Sequence, residues 1–179
     1  MNATTRAMTR ADIGPVAALR TTGWRTAYRG LLPDELLDGL SPAAYAAWLA
    51  GLPSLAGHFV ALDGAGAVTG WASAGAYHPE PTLDEADVPD PDGELYALYV
   101  QPDNQRSGLG RALLAESRAW LAAHGYRRLR LWVLDGNLPA LAFYAAAGLA
   151  PDGGRRGERI GDRWVTELRC AGAVAAGPG

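Results

Sequence analysis

The chain of 179 residues has no lysine, and its sixteen basic side chains are all arginine. That absence excludes a phosphate loop of the Gly-Lys-Ser/Thr kind, because the lysine that reaches the phosphates cannot be supplied. Cysteine is nearly absent too: Cys170 stands alone, so neither an internal disulfide nor a thiolate metal cluster is possible. The three histidines, His58, His78 and His124, fall on separate segments without ligand spacing, and no metal is expected. No apolar run approaches the roughly 18–20 residues of a membrane span. The opening MNATTRAMTRAD lacks the apolar core of a secretory leader, so a cytoplasmic protein with no membrane association is expected. A formal net charge of −3 with 20% charged residues does not suggest a nucleic-acid partner. With 49% apolar residues, the composition suits one domain over residues 1–170, followed by a frayed tail over 171–179.

What is present is a regular alternation of elements. A short strand is expected within Ala3–Thr9. Asp12 reads as the N-cap of a helix carrying Ile13, Val16, Ala17, Arg20, Trp24 and Tyr28 near helical spacing. Pro33–Leu40 and Ser41–Ala50 read as two short helices, the second capped by Ser41. Gly57–Asp63 and Ala67–Tyr77 read as a hairpin around Gly64-Ala65-Gly66. The stretch from Pro79 to Gly93 has four prolines, six carboxylates and no basic residue, which predicts a solvated loop.

The central segment is ELYALYVQPDNQRSGLGR, Glu94 to Arg111. Leu95, Tyr96, Leu98, Tyr99 and Val100 make a nearly continuous apolar run, as in a strand buried on both faces. Pro102 and Asp103-Asn104 turn the chain. Leu113, Leu114, Ser117, Trp120 and Leu121 then recur at helical spacing, with Gly125 as the residue just past the helix. Free N–H groups at that helix start, two glycines and the charges of Arg106 and Arg111 describe an anion site suited to a pyrophosphate. Gly108-Leu109-Gly110 half matches a dinucleotide fingerprint but has Leu113 where the third glycine belongs. Downstream, Arg128–Leu134 alternates as a strand with Leu129, Leu131 and Val133 on one face. Asn137 caps a helix running to Gly148. Asp152–Gly157 reads as a turn, and Arg159–Cys170 holds the last strand, with a hairpin at Gly161-Asp162.

Two blocks carry a family likeness. QRSGLG resembles the Q/R-x-x-G-x-G/A pyrophosphate loop of the GNAT superfamily of N-acetyltransferases. NLPALAFYAAAGL resembles that superfamily's N-x-x-A-x-x-F-Y-x-x-x-G-F signature, with Leu149 in place of the usual Phe. Trp24 to Leu40 is similar to the family's first helical segment. The resemblance implies an α/β fold, a central mixed sheet flanked by helices on both faces.

It also implies acetyl-coenzyme A as co-substrate. Leu98, Tyr99 and Val100 would hold its pantetheine arm through the main chain. Gln105, Arg106, Ser107, Gly108, Leu109, Gly110 and Arg111 would bind its pyrophosphate, and Asn137, Ala140 and Tyr144 its pantetheine end. Tyr144 would be the general acid, and Glu94 the general base, with His78 a second candidate base. Trp24 and Tyr28 would line the acceptor pocket, or else pack onto the sheet. The implied activity is acetyl transfer to a primary amine, a small molecule or a peptide, by direct attack in a ternary complex. A homodimer is a family expectation. The alternative is a non-catalytic acyl-coenzyme A sensor, for which Glu94 and Tyr144 would be unnecessary. O-acetyl transfer or a longer acyl donor is a third reading.

Overall fold

The computed structural model describes residues 4–79 and 92–174. Its strands are β1 (Thr4–Ala7), β2 (His58–Leu62), β3 (Val68–Ala76), β4 (Asp92–Val100), β5 (Arg128–Leu134), β6 (Ala150–Ile160) and β7 (Arg163–Ala173). Its helices are α1 (Ile13–Ala27), α2 (Asp34–Asp38), α3 (Pro42–Gly51), α4 (Leu109–Ala123) and α5 (Leu138–Ala146). The strands form one seven-stranded mixed sheet, in the order β1-β2-β3-β4-β5-β7-β6. The α/β architecture implied by the resemblance is therefore the one observed. The acidic stretch, from residue 80 to 91, lies outside the described residues. Asp92 and Gly93, expected in that loop, open β4 instead.

By contacts the described chain divides into two compact units, residues 4–73 with 97–117, and residues 74–79 and 92–96 with 118–174. The first unit holds the antiparallel run β1-β2-β3, the second half of β4, helices α1 to α3 and the start of α4. Met8, Val16, Leu19, Leu49, Val60 and Trp71 form its core, with Ile13, Tyr45 and Tyr99 packed around them. α3 starts as expected: Ser41 Oγ accepts a bond from the Ala44 N–H at 3.2 Å, with Pro42 next to it. Asp12 stands at the N-cap position of α1, as expected, but its side chain caps no N–H of that helix. It is the third residue of a 3-10 turn (Arg10–Asp12), and its carboxylate accepts from the N–H and hydroxyl of Thr9, both at 2.8 Å. Arg6 pairs with the same carboxylate at 2.7 Å, so Asp12 acts as the carboxylate of a capping box whose N-cap is Thr9. That pairing, with the Thr9 bonds, holds the Asp12 carboxyl well below the usual carboxylate range.

The second unit holds the start of β4, then β5, β7 and β6 with the rest of α4 and with α5. β4 runs parallel to β5 over Asp92–Glu94 opposite Arg128–Arg130, while β5 and β7 are antiparallel along seven pairs. Leu129, Leu131 and Val133 are buried on one face, as the alternation predicted. Past the end of α4, Gly125 at φ 86° lets its N–H reach Ala122 O (3.0 Å) and the Tyr126 N–H reach Leu121 O (3.0 Å). Those are the two bonds of a Schellman ending. Asp152–Gly157 is not a turn but part of β6, an end strand paired to β7 with a register shift between Pro151 and Arg155. It lacked a readable alternation because an edge strand with exposed faces needs none. The hairpin at Gly161-Asp162 is present, and β7 runs on past Cys170 to Ala173, with Val174 buried.

Candidate active site

In the first unit the loop expected to bind an anion is built by backbone conformations that its sequence makes costly or unusual. After β4 a 3-10 turn over Pro102–Asn104 brings the chain round, with Asn104 N bonded to Gln101 O at 2.9 Å. Gln105 Nε2 donates to Val100 O at 3.4 Å, and the Ser107 hydroxyl donates to Asn104 O. Arg106 sits at φ 61° and Gly108 at φ 91°. A left-handed arginine costs roughly 1–2 kcal/mol, a strain that persists where the surrounding loop enforces it. The Gly108 carbonyl accepts from Ala112 N at 3.0 Å, so α4 begins directly after it. The N–H groups of the first helical turn, Leu109, Gly110 and Arg111, then have no intrahelical partner and point outward with the positive end of the dipole. Arg106 and Arg111 are exposed beside them. The residues present fit a pyrophosphate.

The β4 strand that feeds this loop is buried only in its first half. Tyr96 is exposed and Ala97 to Val100 are half-buried, so the expectation of a strand covered on both faces fails there. Tyr99 carries more than main chain: its hydroxyl accepts from Trp24 Nε1 at 2.8 Å, and its ring stacks on Trp71 at 6.1 Å. Trp24 meets Tyr28 edge-on at 5.0 Å. Trp24, Tyr28 and Tyr99 thus belong to one aromatic cluster.

In the second unit Glu94 is buried two residues into β4. Its Oε2 accepts from the His78 N–H at 3.1 Å and lies 3.5 Å from His78 Nδ1. Burial pushes the Glu94 carboxyl above its ordinary value, opposed by His78 and by the charge of Arg156. The His78 side chain is 77% exposed, which gives the buried carboxylate a neighbour in solvent. Tyr96 donates to Ala76 O, and the partial desolvation of its otherwise exposed side chain, with the Glu94 charge, pushes its phenol up to about 12. Further along, Asn137 Oδ1 accepts from Ala140 N at 3.3 Å and caps α5. That cap occupies the Ala140 N–H, which leaves the Asn137 amide nitrogen as donor. Tyr144 is buried on the same helix, its ring 5.1 Å from Phe143.

The expected residues therefore gather in two sets. Trp24, Tyr28, Leu98, Tyr99, Val100 and Gln105 to Arg111 lie in the first unit; Glu94, Asn137, Ala140 and Tyr144 lie in the second. Among the described residues no group of His, Cys, Asp or Glu is arranged to hold a metal ion. Two side chains escaped the sequence reading. Arg20 packs on Trp24 and Tyr45, and Arg156 bears on Glu94. Arg20 was legible only as the residue one turn before Trp24; nothing local announces Arg156.

The sequence model of the Acetyltransferase (GNAT) family matches residues 21–149, most of the chain and both blocks. This chain belongs to the GNAT family of N-acetyltransferases. It is 38% identical over 136 residues to the uncharacterized N-acetyltransferase YuaI of Bacillus subtilis (strain 168), covering 75% of this chain and 73% of that one. A mycothiol acetyltransferase of Clavibacter michiganensis is 48% identical over 54 residues, 30% of this chain and only 18% of that protein. In fold, this GNAT chain matches the PaiA N-acetyltransferase of Thermoplasma acidophilum in complex with coenzyme A. The TM-score is 0.65 and the identity 18%, over 93% of this chain and 98% of the other. Among the described residues, no helix of the GNAT chain is long and apolar enough to cross a membrane.

Proposed function

We propose that the protein transfers the acetyl group of acetyl-coenzyme A to a primary amine, of a small molecule or a peptide, by direct attack in a ternary complex. The observation that carries this reading is Glu94, a buried carboxylate whose raised proton affinity brings it toward the operating range of a general base. A non-catalytic sensor would gain nothing from keeping a charge in that position, where desolvation works against the fold.

When bound, acetyl-coenzyme A supplies an acetyl thioester already activated for attack. Gln105 to Arg111 hold its pyrophosphate through the strained loop and the start of α4. The half-buried main chain of Leu98, Tyr99 and Val100 takes the pantetheine amides and orients the carbonyl, and the Asn137 amide adds a donor. Glu94 removes the proton from the acceptor ammonium, directly or through water, and His78 passes it to solvent. Tyr144 gives its hydroxyl proton to the departing sulfur. Trp24 and Tyr28 line the acceptor side. The site of action is the cytoplasm, and a homodimer is the assembly the family suggests.

The test is thiol release from acetyl-coenzyme A over a panel of polyamines, aminoglycosides, amino acids and lysine- or N-terminal peptides, with Tyr144→Phe beside it. Turnover on one class, lost in the variant, is the expected result. Tight coenzyme binding with no turnover on any amine would favour the sensor instead.

A further inference from the structure

Among the described residues, the cation of Arg20 meets no acceptor. Seven arginines among the described residues are buried or half-buried, and six of them have an oxygen partner in the guanidinium plane. Arg6 meets Asp12, Arg25 the carbonyls of Leu37, Asp38 and Leu40, and Arg118 the Ala147 carbonyl. Arg130 meets Asp92, Arg156 meets Glu167, and Arg169 meets Asp152. Arg20 alone has only aromatic rings: its Cζ lies 4.5 Å from the Trp24 ring centroid and 4.1 Å from that of Tyr45.

Both rings are fixed from elsewhere in the same unit. Trp24 Nε1 donates to Tyr99 Oη at 2.8 Å. Tyr45 stacks on Trp48 at 5.2 Å and meets Trp71 edge-on at 6.1 Å. A guanidinium packed on rings gains cation–π attraction, but rings offer no in-plane acceptor to its five N–H donors. The plane is held while the donors at its edge remain to be filled. That is the geometry that grips a carboxylate with two parallel bonds. Arg20 and Trp24 are four residues apart and share one face of α1, and Tyr28, its C-cap, meets Trp24 edge-on.

We infer that Arg20 selects the acceptor by its carboxylate, so that the substrate class is an amine that also carries a carboxylate, of the amino-acid type. This rests on the proposal that the Trp24–Tyr28 face lines the acceptor site. Arg20 binds the acceptor and takes no part in proton transfer.

The experiment compares α-amino acids with their α-amides as acceptors for wild type, Arg20→Gln and Arg20→Lys. It adds calorimetric binding of N-acetylated amino acids, their amides and acetyl-coenzyme A to each. Wild type is expected to favour the acids by about 10–100-fold in kcat/KM, the range of a lost charged hydrogen-bond pair. Arg20→Gln should bring that ratio near one, mainly through KM, with the coenzyme Kd unaltered; Arg20→Lys should restore only part, since it lacks the planar fork. Equal use of acids and amides by wild type, or a preference that survives in Arg20→Gln, overturns the inference. So does a weakened coenzyme Kd, which would give Arg20 to a coenzyme phosphate. If no amine is turned over at all, the enzyme reading fails, but binding still decides this one. N-acetylated acids that bind better than their amides only when Arg20 is present uphold it; acids and amides that bind alike, or not at all, sink it.

Discussion

If Glu94 is the base proposed above, catalysis and stability pull against each other at that residue. Its carboxyl is buried and its pKa lies above the ordinary 4.5, with desolvation the largest cause. In the pH window between 4.5 and the raised value, the folded protein holds a proton that the unfolded chain releases. Stability therefore falls as pH rises through that window, and the loss persists above it. In Glu94→Gln the amide oxygen can still accept from the His78 N–H, while the buried charge is gone. The variant should show a flatter pH dependence of thermal unfolding and a higher Tm than wild type at neutral pH. Its pH–rate profile should lose the acidic limb together with most of kcat. Unfolding curves that run parallel in pH would show that the carboxylate is not strained, and a superimposable pH–rate profile would remove it as base. Tyr144→Phe tests the other half of the proposed proton path. It should lower kcat by about 10²-fold or more, going by typical acid–base contributions, with KM for the coenzyme little changed.

The loop before α4 makes a separate demand on the backbone. Gly108 at φ 91° has open space around a notional Cβ, so a side chain there would meet no clash but would be forced into the left-handed region. Gly108→Ala should therefore cost roughly 1–2 kcal/mol if the loop holds its shape. If the loop relaxes instead, the N–H groups turn away and coenzyme affinity drops by about tenfold, the equivalent of 1.4 kcal/mol. Arg106→Asn separates charge from conformation, since asparagine tolerates positive φ. It should keep the fold's stability and weaken coenzyme binding in a salt-dependent way. A coenzyme Kd unchanged in both variants would take the loop out of the anion site. This loop was legible from sequence because glycines, a proline and a helical period are local signals. The same holds for the Ser41 and Asn137 caps. Asp12 was placed correctly before α1, but the partners of its carboxylate stayed hidden because a capping box places that group three residues inside another cap, and Arg6 comes from β1. β6 was misread as a turn because glycines and charges on a strand with little burial look like a loop. Arg20 stayed hidden as a site because its second ring, Tyr45, comes from another helix.

The two units are held together internally by different means. The first has an apolar and aromatic core; the second has charge inside it. Arg130 and Asp92 are both nearly fully buried and paired, and Asp152 gathers Arg169 at 3.0 Å and Arg128 at 3.6 Å. Tyr77 joins this group, accepting from Arg169 Nη1 at 3.2 Å beneath the Arg130 cation. The alternation in RLRLWVL marked the apolar face of β5 but gave no sign that Arg130 on the other face is also covered, because the covering groups are distant in sequence. Removing one member should cost far more than removing both. Asp92→Ala strands a buried guanidinium, with an expected loss of about 3–5 kcal/mol. At roughly 2–4 °C per kcal/mol for a chain of this size, that is a Tm lower by about 6–20 °C. Asp92→Leu combined with Arg130→Met replaces the pair by apolar groups and should recover most of the stability. Glu94 faces Arg130 in the parallel register, two residues beyond Asp92. If the charges serve position as well as stability, the double variant regains its Tm but not its kcat. If both return together, the pair is structural alone, and β4 finds its register from backbone pairing and the apolar neighbours.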